Sequence, residues 1–543
     1  MTENNPLRLA AAAGPRAEIH DTVRSFHGVT VHDEYAWLRA ENWQAVMRDP
    51  GALDATIRSH LDAENAHAAA AFAPVEGLRA RLFEEMKGRI KQDDSSVPAK
   101  DGPFAYAMRH RPGGQHPIHV RTPRDGGGEE ILLDGDERAI GKAYFRLSGI
   151  SHSPDHRRLV WGADENGSEH FTLRVRDLVE NRDLDDVIEA TGGEAVWAAD
   201  GEHLFYVRLD ANHRPSTVLR HRVGRPASED VVVHEEGDPG FFVGLSKTLS
   251  GRFVTIAIHD HQTSEAWLIE ADDPTSAPRL VAPRVTAQEY DVEHVGEILT
   301  ILTNADGAED FQIVTAPIEA PDRANWRPLV AHEPGRLILS QTTLAGHLLR
   351  LERVEGLPRI VARRLSDGLE HAVAFEEEAY SLGLLGGFEF DTTEIRFSYS
   401  SPTTPARVFD YDMETRARTL RKEQEVPSGH DPANYVATRV FAPALDGETV
   451  PVTLLRRRET PLDGTAPCLL YGYGAYGITI PAAFSTTALS LVDRGFVYAI
   501  AHVRGGKDKG FRWYAQGRRE AKTNTFDDFV AAARHLIATG VTG

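Results

Sequence analysis

Pro467-Cys468-Leu469-Leu470-Tyr471-Gly472-Tyr473-Gly474-Ala475-Tyr476-Gly477 is a short apolar run that breaks into a glycine-rich loop. A helix-like stretch over residues 483–493 follows, and residues 496–503 form a second apolar run. A run that is apolar throughout marks a strand covered on both faces, as in a parallel sheet flanked by helices. Next come a polar loop and a helix expected over residues 525–539, with Phe526, Phe529, Val530, Leu536 and Ile537 as its apolar face. Thr525 and Asp528 resemble a capping box, and Gly540 is the C-terminal stop. Strand–helix–strand–helix order indicates a doubly wound α/β sheet. Before it, residues 435–441 and 450–456 alternate around Leu445-Asp446-Gly447-Glu448, a hairpin signal, and Gly429-His430-Asp431-Pro432 reads as the linker opening this unit.

Working back from the linker, residues 98–420 are short strands separated by polar turns. Asp101-Gly102, Pro154-Asp155, Asp200-Gly201, Ser250-Gly251, Val295-Gly296, Ala345-Gly346 and Asp391-Thr392 each precede a strand rich in Val, Ile, Leu, Phe or Tyr. An interval of roughly 45–55 residues is the period of a four-stranded propeller blade. Seven such units make some 28 strands, more than one flat sheet can carry, and radial blades leave only short, protected edges. Residues 52–90 carry helical spacing instead. The expected organisation is an N-terminal helical segment (1–75), a seven-bladed β-propeller (76–428) and the first part of an α/β-hydrolase domain (429–543), its doubly wound sheet incomplete in this chain.

Composition bounds the function. A net charge of −21 over 543 residues opposes nucleic-acid binding, which needs a basic footprint. One cysteine, Cys468, rules out an internal disulfide framework and suits a reducing compartment. The run over residues 9–13 lacks the flanks of a signal peptide, and no stretch reaches the ~18 apolar residues of a membrane span, so cytoplasmic residence is the default expectation. His259 and His261 have no evident third ligand, and neither an H-E-x-x-H nor a P-loop motif occurs. No metal and no cofactor are expected.

Gly472-Tyr473-Gly474-Ala475-Tyr476-Gly477 also matches the dinucleotide fingerprint G-x-G-x-x-G. Its context fails: Pro481 interrupts the helix that should follow, and two tyrosines crowd a loop that must approach a pyrophosphate. The loop instead lies at the carboxyl end of a strand, where α/β active sites gather. There Tyr473 and Tyr476 either face a cleft, with a phenol donating to an oxyanion, or simply pack the loop. Arg504-Gly505-Gly506 ends the next strand, its arginine more simply read as half of a structural ion pair. Asp508 is either a partner for a cationic substrate group or a solvated loop aspartate. Residues 435–543 contain no G-x-S-x-G elbow, which an α/β-hydrolase needs for its serine; the next strand, due after residue 539, would lead into it.

The stretch Tyr471 to Gly477 resembles the corresponding loop of the prolyl oligopeptidase family of serine peptidases. So do Leu489-Ser490-Leu491-Val492-Asp493-Arg494-Gly495-Phe496-Val497 and His502-Val503-Arg504-Gly505-Gly506. Trp513-Tyr514, Asn524-Thr525-Phe526, Ser400 to Pro405 and Asp33 to Leu38 are similar to its oligopeptidase B branch. The resemblance implies a propeller capping an α/β-hydrolase domain, with the N-terminal segment packed on the hydrolase. It implies cleavage of short peptides after Arg or Lys, the propeller excluding folded proteins, with Tyr473 assisting the oxyanion hole and Tyr476 lining the substrate cleft. Lys507-Asp508-Lys509 departs from the family pattern. The serine, aspartate and histidine of the triad are not in this chain, which is therefore expected to be inactive. The alternatives are a non-catalytic propeller scaffold or pseudoenzyme, and an acyl-peptide hydrolase or esterase of the same fold.

Overall fold

The alternating strands of the middle region have one stable way to hide their edges, and the computed structural model, which describes residues 14–543, shows it. Seven antiparallel blades span residues 99–134, 146–191, 191–235, 242–282, 290–330, 336–372 and 381–423. All seven turn units fall between the first and second strands of a blade. The blades use 27 strands, not 28, because one strand serves twice. Arg182–Trp197 pairs with Phe171–Asp177 as the last strand of blade 2 and with His203–Leu209 as the first of blade 3. Thr191 pairs on both sides, and a bulge over the next residues turns the strand between blades.

Apolar clusters fill six of the seven seams. Tyr106 and Leu133 of blade 1 pack with Leu159 and Trp161 of blade 2, and comparable clusters join each following pair through blades 6 and 7. The seam that closes the ring is polar. Lys422 meets Asp94 at 2.7 Å and Lys100 meets Glu394 at 2.9 Å. Arg124 meets Glu389 at 2.6 Å, and Arg396 donates to the carbonyls of Val97 and Pro98.

The hydrolase segment contributes a four-stranded sheet ordered Tyr435–Pro443, Thr449–Arg457, Val497–Ala501, Cys468–Tyr471, with only the last pair parallel. Val497 to Ala501 is nearly all buried, as its unbroken apolar character requires. Loops between the second and third strands of the blades face this segment. Asp310 accepts from Phe511 N–H at 2.6 Å, Arg353 donates to Thr479 at 2.9 Å, and Arg439 to Glu355 O. The opposite mouth of the propeller is therefore formed by the seven hairpins.

Three expectations change. The first blade strand begins at Ala99, and the helix Glu76–Gly88 belongs with the hydrolase segment: Arg89 donates to Ser490 and Asp493, and Glu85 pairs with Arg494. A hairpin, Val23–Phe26 with Val29–His32, lies in the region read as helical; residues 1–13, including the run at 9–13, are outside the described residues. The last helix, Thr523–Ala538, has no capping box, because Thr525 and Asp528 turn inward. Phe526, Val530 and Ile537, expected on its packed face, are exposed, while Ala531, Ala532 and Leu536 are buried. No described helix is long and apolar enough to cross a membrane.

Candidate active-site loop and its supports

The loop after Cys468–Tyr471 is glycine-rich because backbones meet there. Gly505 has φ +95°, and a Cβ on it would stand 2.0 Å from the carbonyl oxygen of Gly474 and 3.0 Å from that of Gly517. The loop and the next strand end interlock, with Gly477 N–H donating to Gly505 O at 2.9 Å. No room is left for a pyrophosphate against this backbone, which disposes of the dinucleotide alternative on geometry.

A buried salt bridge holds the interlock. Arg504 is 2% exposed. Its side chain clasps Asp528 through two contacts of 2.9 and 2.6 Å, its own N–H donates to the same carboxylate, and Asp446 closes the outer side. Burial alone would lower the guanidinium pKa, but Asp528 and Asp446 overcome that and raise it, so the group is permanently charged. Thr525 donates to Arg504 O at 2.8 Å. Arg504 is thus the structural ion pair foreseen. Its partner Asp528 was missed, since its spacing from Thr525 suggested a cap.

On this frame, held by Lys522 and Thr525 donating to Gly474 O, Tyr473 is half exposed. A phenol held on a rigid loop at a strand's carboxyl end is what an oxyanion site requires. Tyr476 adopts φ +54°, a left-handed conformation unusual for a bulky side chain. Its ring lies 5.6 Å from that of His261 in blade 4. The loop therefore faces the propeller.

Asp508 is placed differently from the exposed position assumed for it. It is 2% exposed, 3.0 Å from His502 Nδ1, and His502 Nε2 is 2.8 Å from Thr453 Oγ1. Arg353 lies close enough for burial, partly countered by Asp508, to set its lowered pKa. Paired with His502 and 2% exposed, the aspartate has no free face for a substrate.

A cavity of about 1140 Å³ lies in the propeller and not beside Tyr473. A row of carboxylates runs along the first, innermost strand of blade 5 and the residue just before it. Glu289, near Lys507 and Arg518 of the hydrolase segment, Asp291 and Glu293 alternate along the chain. Burial raises the pKa of all three, that of Glu293 to about 7. Asp291 is open to the lumen although protein surrounds it.

Comparison with known proteins agrees with this geometry. Residues 15–424 match the N-terminal β-propeller domain of prolyl oligopeptidase, and residues 482–543 match the prolyl oligopeptidase family. The chain is 36% identical to dipeptidyl aminopeptidase BI of Pseudoxanthomonas mexicana, across 98% of this chain and 75% of that protein. It is 30% identical to protease 2 of Moraxella lacunata, across 94% and 73%. The structure of oligopeptidase B from Leishmania major superposes with a TM-score of 0.91 at 30% identity, covering 98% of this chain and 77% of that one. A ring of seven blades facing a glycine-locked hydrolase loop, matched over nearly its whole length, places this chain in the prolyl oligopeptidase family of serine peptidases, enzymes that act on peptides.

Proposed function

We propose that these residues build the gate and the oxyanion side of an oligopeptidase that cleaves short peptides after Arg or Lys. The single observation that carries the basic preference is the acidic row Glu289, Asp291 and Glu293 along the lumen. A negative lumen raises the local concentration of cationic peptides and repels acidic ones. Folded proteins are excluded by the width of a propeller bore. Tyr473 supplies an oxyanion donor, and Tyr476 lines the cleft between loop and propeller. Asp508 positions His502 and the domain boundary. The lone cysteine fits a reducing, cytoplasmic setting.

In acyl transfer a serine attacks the scissile carbonyl, and a phenolic donor stabilises the oxygen that becomes negative. Residues 435–543 contain no G-x-S-x-G, so these 543 residues alone are expected to bind peptide without turnover. The reading frame extended past Gly543 is the protein to test, with fluorogenic peptides bearing Arg, Lys or Pro before the scissile bond. Cleavage after Arg and Lys, blocked by a serine-directed phosphonylating reagent, is expected. There Tyr473→Phe lowers kcat roughly 10- to 1000-fold with little change in KM. An extension without G-x-S-x-G, or a preference for Pro, overturns the reading. The similarity to a dipeptidyl aminopeptidase supports a second reading, removal of N-terminal dipeptides. Blocking the peptide amino terminus separates the two, since only dipeptide removal requires a free one.

A further inference from the structure

We propose that Asp101, His152 and His156 form a binding site for a divalent transition ion of the zinc class, at the propeller mouth turned away from the hydrolase segment. One carboxylate oxygen and one nitrogen from each imidazole lie within 4.8 Å of one another. They come from two blades. Asp101 ends the first strand of blade 1, His152 ends the first strand of blade 2, and His156 sits in the hairpin that follows. His152 and His156 are four positions apart, but Asp101 lies some fifty positions before them in another blade, so the sequence suggested no metal here.

The present contacts account for two of the three groups. His152 Nε2 and Asp101 Oδ2 are 2.6 Å apart, a complete hydrogen bond between blades. His156 is not needed for it, yet it converges on the same point. Its Nδ1 lies 2.7 Å from the Tyr106 hydroxyl, and its Nε2 has no partner among the described residues. A phenolic oxygen can accept as well as donate. With Nδ1–H donating to Tyr106, Nε2 carries the lone pair a metal requires, and the ring is oriented from behind as second ligands commonly are. Tyr106 is itself buried and stacks on His152 at 3.9 Å with an interplanar angle of 6°, so one tyrosine orients both imidazoles.

Room is kept open on the fourth side. A Cβ at Gly102 would stand 2.8 Å from His156 Nε2, so a side chain there would crowd that nitrogen. Metal–ligand bonds of roughly 2.0–2.2 Å put tetrahedral donors about 3.3 Å apart, so the Asp101–His152 pair opens by under 1 Å while His156 closes in. Two neutral imidazoles and one carboxylate favour zinc, nickel or copper over calcium or magnesium, which prefer all-oxygen shells. Lys247, whose pKa burial lowers, and Arg121, which donates to His156 O, bring positive charge close by. They repel any divalent ion alike, so affinity must come from the imidazole nitrogens, which transition ions bind more tightly. The remaining position opens on the cavity, which Asp101, Tyr106 and His152 help to line. A bound ion would tie blade 1 to blade 2 and present a Lewis-acidic site at the far mouth.

The test uses the 543-residue chain without an affinity tag, stripped of metal and titrated with Zn²⁺ by calorimetry and with Co²⁺ by visible absorption. One equivalent per chain is expected. His152→Asn and His156→Asn each weaken binding at least 100-fold, Tyr106→Phe roughly 10- to 100-fold as for an orienting partner, and His261→Asn has no effect. Absence of a stoichiometric ion in the titration, or wild-type affinity in both histidine variants, overturns the proposal. Should the variants fail to fold, zinc X-ray absorption on the unmodified chain decides. Two imidazoles with a carboxylate support it; a shell with sulfur or with oxygen alone overturns it.

Discussion

His221 lies fully buried between Asp186 at 2.9 Å and Asp230 at 2.7 Å, in the seam of blades 2 and 3. Burial lowers an imidazole pKa, but here the two carboxylates win and raise it to about 9. The folded value is above the unfolded one, so the stabilisation is complete below pH 6.5 and is lost as the pH rises through about 9. It amounts to about 3 kcal/mol. Urea unfolding at pH 6 and pH 10 should show wild type losing that much relative to His221→Asn; an equal pH dependence would refute the charge pairing. Glu293 is an acid with a raised pKa, about 7, so its protonated form favours the fold. That contribution is full below pH 4.5 and gone above about 7. Glu293→Gln should therefore stabilise the protein at pH 8 by about 1–2 kcal/mol, allowing for screening by lumen water, and change little at pH 4.5. The same variant should remove a rise in affinity for cationic peptides between pH 6 and 8, measured by fluorescence anisotropy.

Among the elements, the interlocked loops are the least tolerant. Gly505→Ala would force a methyl into the carbonyl of Gly474, whereas Gly113, also at positive φ, has nothing within 4 Å of the corresponding position. Gly113→Ala should cost about 1 kcal/mol, from backbone strain alone. Gly505→Ala should cost well over 3 kcal/mol and expose residues 467–520 to limited trypsin digestion while the blades stay resistant. What the sequence revealed follows the range of the forces. Turns and strand alternation are local, so Asp200-Gly201 before Leu204-Phe205-Tyr206 was readable as a hairpin. Gly192-Gly193 is a bulge inside one strand, and whether a glycine pair ends or bends a strand depends on the neighbours it pairs with, which the local sequence does not specify. Tyr473 was legible as a candidate from its place after a strand. Asp508 was misplaced because its pairing with His502, itself held by Thr453 of another strand, is a tertiary contact that no local spacing announces. Thr525 and Asp528 fitted a cap by spacing, but Arg504 claims the aspartate.

At the scale of the whole molecule the ring has one weak closure. Exposed ion pairs are each worth about 0–1 kcal/mol and are screened by salt, whereas the six apolar seams are not. Hydrogen exchange in 0.5 M salt should accelerate in Phe104–Arg109 and Arg418–Glu423, which flank the closing seam. Phe253–His259 in blade 4 should change little; uniform acceleration would show that the seams are equivalent. Exposed Phe83, Phe526 and Val530 predict that this chain by itself binds a hydrophobic dye strongly and associates as its concentration rises, which light scattering would measure. The strand Arg182–Trp197 has a different consequence. No cut of the chain yields blades 2 and 3 as separate intact sheets, so a dissection into fragments recovers six autonomous pieces from a ring of seven. The inheritance of such a propeller by duplication or exchange of single blades is blocked at that one junction, and blades 2 and 3 pass on together or not at all.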